Sequence, residues 1–229
     1  MLFVSTGRCG TTRISEILRE KLPEDTFCTV HQMRFSRLAN ILGNIMFTFK
    51  DAPGLRSRLY KWIISKYDKG CCFISTDPLT SMILPDDLVE SNNVCIVHIV
   101  READSFARSM FSFSRSRVMS FIAHNFVPFW QPGRWPIENL LSRNALDKYR
   151  EISLIKNDFF RERYSRNGHY LIVTVDELFT TDLLQSIVND WFDTNISISR
   201  QELEKRSNVS GKIVHDKERA PRRKPEGRP

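Results

Sequence analysis

Residues 5–12 read Ser-Thr-Gly-Arg-Cys-Gly-Thr-Thr, a stretch dense in groups that bind oxyanions. Gly7 and Gly10 let the backbone approach a ligand closely. Arg8 brings a fixed charge with a planar fork of donors, and Thr11 and Thr12 add hydroxyls. Set between a strand and a helix, such a turn aims backbone N–H groups and the positive end of a helix dipole at an anion. A cation is disfavoured at a helix N-terminus, so Arg8 implies a negative ligand facing it. Cys9 shares this electropositive setting, which is expected to lower its thiol pKa. Its spacing to Arg13 is Cys-x3-Arg rather than the Cys-x5-Arg of cysteine phosphatases, so Cys9 reads as a small loop residue whose N–H matters.

A second cation, Arg101, directly follows an apolar run and needs a partner there. An anionic ligand is one, with Ser109 as a further donor; a salt bridge to Glu102 or Asp104 is the other. Two groups have the chemistry of a general base. Asp77 ends an apolar run where a dry wall would raise its pKa, although it would equally open an Asp-Pro turn and cap the next helix. His31 follows the apolar stretch Phe27 to Val30 and titrates near neutrality. His98 lies inside an apolar run and reads as core, and His124 and His169 sit in helix-end or turn contexts.

The elements that must position these residues follow from periodicity. Short, β-branched or aromatic runs at Leu2 to Ser5, Cys71 to Thr76, Val94 to Val100 and Tyr170 to Val175 predict buried parallel strands, with Phe27 to Val30 as a possible fifth. Helical patterns cover 13–21, 34–48, 54–67, 80–91, 103–122, 138–165 and 180–193. Strands alternating with helices predict a parallel sheet covered on both faces, an α/β chain. Ligands then sit at the carboxyl ends of the strands, which selects the loop after Val4, Asp77, Arg101 and Asp176–Glu177. The stretch 111–136 holds five Phe, two Trp and three Pro. It predicts either a lid whose apolar panels are Phe129, Trp130 and Trp135, or a well-packed irregular connection.

The chain has 229 residues and a net charge of +7. One domain over 1–210 is expected, with a basic, Pro-rich tail over 211–229 in which seven cations face three carboxylates. Such a tail is expected to be solvated rather than to bind nucleic acid. No apolar run reaches transmembrane length. The first apolar residues lead straight into the anion loop, which predicts no secretory leader and a cytoplasmic protein. The five cysteines show neither a disulfide framework nor metal-ligand spacing.

With the loop, the strands and Arg101 in place, the chain resembles the sulfotransferases that use 3′-phosphoadenosine 5′-phosphosulfate (PAPS). TGRCGTT (6–12) is similar to their 5′-phosphosulfate loop. IVHIVREADSFARSMFSF (96–113) is similar to their 3′-phosphate block, a strand followed by Arg and, eight residues on, Ser. YLIVTVDELF (170–179) is similar to a late strand and acidic turn, and FISTDPLTSMILPDDL (73–88) to the strand-end segment that carries the catalytic His in cytosolic members. That position is Asp77 here, Arg8 stands where those members have Lys, and Arg13 stands where they often stack Trp on adenine. The resemblance is therefore closer to carbohydrate-type or bacterial-type members.

The resemblance implies a three-layer α/β fold of the P-loop NTPase type and PAPS-dependent sulfation of a hydroxyl on a sugar, lipid or small molecule, without a metal. It implies that Arg8 stabilises the leaving group and that Arg8, Cys9, Gly10, Thr11, Thr12 and Arg13 line the 5′ side. Arg101 and Ser109 would hold the 3′-phosphate, and Arg206, Ser207, Asn208 and Lys212 would close over the nucleotide. Asp77 and His31 both remain candidates for the base. Two other functions stay open. A P-loop kinase or NTPase would need GxxxxGK[ST], but no Lys precedes Thr11 here. An anion- or nucleic-acid-binding module would use the basic tail, yet the remaining cations do not form a stripe.

Overall fold

The computed structural model describes residues 1–49, 53–67, 70–116, 118–132 and 145–204. In chain order the elements are β1 (Leu2–Ser5), α1 (Thr11–Lys21), β2 (Phe27–Val30), α2 (Ser36–Thr48), α3 (Pro53–Ile64), β3 (Cys72–Ser75), a 3-10 turn (Ser81–Ile83), α4 (Asp86–Val89), β4 (Ile96–Val100), α5 (Ala103–Ser116), α6 (Val118–Phe126), α7 (Ala145–Tyr164), β5 (Tyr170–Thr174), α8 (Val175–Thr180), α9 (Leu183–Phe192) and α10 (Arg200–Glu204). The five strands form one all-parallel sheet in the order β2-β3-β1-β4-β5.

Strand alternation divides the core into two layers around this sheet. Phe3, Val97 and Ile99 point to one side, against Ile14, Ile17 and Leu18 of α1 and Leu184, Ile187 and Val188 of α9. Leu2, Val4 and Ile96 point to the other, against α2, α3 and Phe160 and Tyr164 of α7. The i, i+3, i+4 spacing of Ile14, Ile17 and Leu18 gives α1 a single apolar stripe, and all three are at most 1% exposed. Burying each stabilises the fold by about 1.5–3 kcal/mol. On the opposite side α2 packs tightly on the 3-10 turn, because a Cβ at Gly43 would stand 2.7 Å from the Met82 Cβ.

The strand order decides where a ligand fits. From β1 the chain crosses over β3 to reach β2, whereas from β4 it crosses the other way to β5. Right-handed crossovers then send the chain to opposite faces after these neighbouring strands. A crevice opens between the carboxyl ends of β1 and β4. Their register, Phe3 opposite Val97 and Ser5 opposite Ile99, brings the loop after Ser5 beside Arg101.

The four expected strands form, each within two residues of its expected bounds, and Phe27–Val30 is indeed a fifth, at the sheet edge. The helical pattern over 80–91 resolves into the 3-10 turn and the short α4. Pro85, which lacks an N–H, divides them and caps α4. The pattern over 180–193 forms α9 (Leu183–Phe192), and a separate short helix, α8 (Val175–Thr180), precedes it. A reciprocal bond between Thr174 and Glu177 caps α8. Asp176 and Glu177 therefore stand in the first turn of a helix whose Phe179 packs against Gly10. The expected tail, and with it Arg206, Ser207, Asn208 and Lys212, lies outside the described residues. No described helix is long and apolar enough to cross a membrane.

Candidate anion-binding site at the strand ends

The loop between β1 and α1 turns through three left-handed residues, Gly7 (φ 93°), Arg8 (φ 57°) and Gly10 (φ 77°). Gly10 is required twice over, by its φ and because a Cβ there would meet the Phe179 ring at 2.5 Å. Ser5 Oγ accepts the Gly7 N–H at 3.2 Å and ties the loop to its own strand. No side chain caps α1. Among the described residues, the N–H groups of Gly10, Thr11, Thr12 and Arg13 find no protein acceptor. This is the donor array that an oxyanion fills at a helix start.

Arg8 and the Arg101 block meet at this loop, as their spacing predicts. Arg8 Nε donates to Ser109 Oγ at 3.3 Å, and its guanidinium lies 4.7 Å from the centre of the Phe113 ring. Arg101 donates from one terminal nitrogen to the Arg8 carbonyl at 2.7 Å and from Nε to Ser105 Oγ at 3.0 Å. The salt-bridge reading of Arg101 does not hold. Glu102 accepts the N–H groups of Asp104 and Ser105 at the start of α5, and Asp104 pairs with Arg150. Among the described residues no carboxylate pairs with Arg101, so a half-buried cation faces the crevice without a counter-ion.

The two candidate bases have different surroundings. His31 Nδ1 lies 3.1 Å from the Thr76 carbonyl, which can only accept, so the proton sits on Nδ1. Nε2 is then a lone-pair acceptor and takes the Thr12 hydroxyl at 2.8 Å. A half-buried, oriented imidazole thus presents its basic nitrogen to the anion loop. Asp77 is 1% exposed, and its two oxygens accept the N–H groups of Met33 and Leu79, each at 2.9 Å. Burial pushes its carboxyl up to about 7, although the bonds from Met33, Leu79 and Ser36 pull the other way. Both carboxylate oxygens of Asp77 are thus engaged in anchoring β3 to the loop before α2, the turn-opening role that is the alternative to its candidacy as base. The reason is that an Asp-Pro turn folds the carboxylate back onto nearby backbone N–H groups.

Two further expectations change. The Cys9 thiol donates to the Gly7 carbonyl at 3.1 Å, and full burial raises its pKa to about 11 despite Arg8 and Arg101. Desolvation outweighs the two neighbouring cations. Arg13 is buried and donates from Nε to the Glu202 carbonyl of α10 at 2.8 Å, with a salt bridge to Glu16 at 3.2 Å. Its guanidinium fastens α1 to α10 and is not poised as an adenine platform. The periodicity of α1 hides this, since Arg13 sits on the edge of its apolar stripe.

A buried polar group beside the site has no counterpart in the sequence reading. His124 of α6 accepts the Gln131 side-chain amide at 2.8 Å, and Lys148 of α7 donates to the His124 carbonyl at 3.2 Å. Lys148 is 3% and Lys156 5% exposed. Burial, followed by the charges of Lys148 and Lys156, lowers His124 to about 3. The amides of Asn40 and Asn44 hold the Trp130 carbonyl, and Asn44 also holds that of Phe129. Phe129 is buried and Trp130 half-buried against His124, while Trp135 lies outside the described residues. The signal that exists in the sequence is the absence of any acidic residue between 105 and 137. His98, expected in the core, is there: its nitrogens pair with Tyr170 at 2.7 Å and Asn157 at 3.0 Å.

No family model matches the chain, and no curated protein or solved structure matches it.

Proposed function

We propose that the chain is a sulfotransferase that moves a sulfuryl group from PAPS to an acceptor hydroxyl. The observation that carries this reading is the meeting of two cation centres at one crevice. The Arg8 loop and the Arg101–Ser109 block lie 93 residues apart and are joined by direct hydrogen bonds at the ends of β1 and β4. A nucleotide with phosphates at both its 5′ and 3′ positions suits such a pair. The residues fit it: uncapped N–H groups at α1, a guanidinium at Arg101 without a carboxylate among the described residues, and a Ser109 hydroxyl that accepts from Arg8 and keeps its own proton to donate.

When bound, PAPS supplies the sulfuryl group. The N–H groups of Gly10, Thr11 and Thr12 serve the 5′ side, and Arg8 faces the oxygen on which charge develops. Arg101 and Ser109 serve the 3′-phosphate. His31 Nε2 takes the proton of the acceptor hydroxyl, while Thr76 holds the ring in the required tautomer. Sugars, lipids and small phenols or alcohols all meet the requirement for a hydroxyl.

Thermal shift with 3′,5′-ADP, against ATP with magnesium, tests the nucleotide class. The product nucleotide should raise Tm and ATP should not. A larger shift with magnesium-ATP would favour phosphoryl transfer and overturn the proposal. Calorimetry on Arg101→Ala then tests the division of labour. Loss of a charge-assisted contact should weaken 3′,5′-ADP about 10- to 100-fold. Binding of 5′-AMP should be unchanged, and equal loss for both nucleotides would contradict the assignment of Arg101.

A further inference from the structure

The interior beside the crevice holds two lysines where the fold needs none. Lys148 and Lys156 lie eight residues apart on α7, with the apolar Ile152 midway between them, so all three share one helix face. That face is buried: Ile152 is 1% exposed, and both lysines are at most 5% exposed. Lysine is almost never buried without a partner. Lys148 has the His124 carbonyl. Lys156 has no hydrogen-bond acceptor and no carboxylate among the described residues. Burial alone lowers its pKa, to about 8, with no opposing carboxylate, which leaves most of it charged at neutral pH.

Its location follows from the packing of that helix face. Ile152, midway between the lysines, packs with Phe106, Ala107, Met110 and Phe113 of α5, and Lys148 reaches the His124 carbonyl, so this face of α7 lies against the helix that carries Phe113. The edge of His124 lies 6.4 Å, ring centre to ring centre, from Phe113, whose ring carries the Arg8 guanidinium at 4.7 Å. One phenyl ring therefore separates the lysines' neighbourhood from the anion loop. On the α2 side Asn40 and Asn44 each keep a buried side-chain oxygen without a partner. A buried ammonium lacking an acceptor beside an anion site is a group waiting for negative charge from outside the chain.

We propose that Lys156, supported by Lys148, binds an oxyanion carried by the acceptor, so that the acceptor is an acidic hydroxyl compound bearing a carboxylate or sulfate. This rests on the sulfotransferase reading for the word acceptor, and on Lys156 alone for the anion. Phe113 then lies between the acceptor's anionic group and the reacting end at Arg8 and His31. A neutral sugar or sterol would leave Lys156 without a partner and would bind weakly.

The test uses the full chain saturated with 3′,5′-ADP and three probes: methyl glucuronide, methyl glucoside and inorganic sulfate. Calorimetry should give methyl glucuronide about 10- to 100-fold tighter binding than methyl glucoside, the range of one charge-assisted contact. Lys156→Met should abolish that preference and leave 3′,5′-ADP affinity unchanged; Lys156→Arg should keep part of it. Sulfate should raise the Tm of the wild type more than that of Lys156→Met at matched ionic strength. It also reports a sulfate-bearing acceptor if the glucuronide proves weak. Equal binding of the two glycosides with no Lys156-dependent effect of sulfate overturns the proposal. So does a preference that survives in Lys156→Met. If 3′,5′-ADP itself does not bind but the Lys156-dependent sulfate effect persists, the nucleotide reading fails and the anion site stands.

Discussion

The two edges of the same sheet treat their cations in opposite ways. At the amino edge, Arg166 meets both Asp86 and Glu90 at 2.9 Å, and Arg163 meets Asp86 at 2.9 Å and the Leu84 carbonyl. Asn167 completes that edge by donating to the carbonyls of Val89, Ser91 and Val94. At the carboxyl edge, Arg101 has only a carbonyl and a hydroxyl among the described residues, and in the interior of α7 Lys156 has no acceptor among them. The fold neutralises its charges where only architecture is at stake. The excess positive charge at Arg101 stands where two crossovers open a crevice, which is the contrast on which the proposed ligand site rests.

If that contrast is right, the strongest effects come from the carboxyl edge and fall on turnover and ligand binding rather than on stability. His31→Ala should lower turnover with PAPS about 100- to 10,000-fold, the range for loss of a general base. It should leave 3′,5′-ADP affinity near the wild-type value. Steady-state kinetics at neutral pH will show the loss, and turnover within about tenfold of wild type would break the assignment. Asp77→Asn should instead change Tm and leave the pH profile of turnover in place, because Asp77 faces backbone N–H groups. Arg8→Ala should cost about 100- to 1,000-fold in turnover and less in affinity, since its charge acts on the developing oxyanion. A larger loss in affinity than in turnover would make Arg8 a binding group only.

The carboxyl edge was more legible in the sequence than the buried lysines of α7, for physical reasons. A loop with two glycines, and a cation placed directly after a buried strand, are local statements, since each violates a local preference that only a ligand or a special backbone repairs. The strands were legible because parallel, doubly covered strands are short, continuous apolar runs, as in Leu2–Ser5. Lys148 and Lys156 were not, because a helix with lysines among polar neighbours reads as a solvated face. Only the packing of α7 against α5 and the sheet shows which face is inward. Arg13 failed for the complementary reason: its partner, the Glu202 carbonyl, is 189 residues away and no local pattern announces it.

A further prediction separates two kinds of buried polarity by pH. Burial lowers His98 to about 4 and His124 to about 3, so each stays neutral in the fold while the unfolded chain takes up a proton below about 6.5. The unfolded state binds more protons between pH 6.5 and 4, so stability falls as the pH falls through that window. Each histidine contributes a slope of about 1 kcal/mol per pH unit. Asp77 acts in the opposite sense: its carboxyl, raised to about 7, takes up a proton on folding between about pH 4 and 7 and so favours the fold at the acid end. Two histidines against one carboxylate leave a net loss on acidification. Urea titrations at pH 6.5 and 5 should show it. His98→Gln should reduce the loss, because a neutral amide has no proton to gain, and an unchanged slope would mean that His98 is accessible to protons in the fold.

The smallest effect is the one that bears most directly on the contrast between edges. Arg166 is half exposed, and removing it leaves Asp86 still paired with Arg163. An exposed pair of this kind contributes about 0–1 kcal/mol, less at high salt. Arg166→Ala should therefore shift Tm by a few degrees at most and leave 3′,5′-ADP affinity unchanged. Arg101→Ala also removes one arginine from the same sheet, so the net charge of the two variants is identical. Long-range attraction between a basic protein and a polyanionic nucleotide would weaken in both. Only local recognition at the carboxyl edge predicts that calorimetry separates them, with 3′,5′-ADP lost in Arg101→Ala and retained in Arg166→Ala. Equal weakening in the two would reduce the excess charge at the carboxyl edge to a general field and remove its claim to be a site.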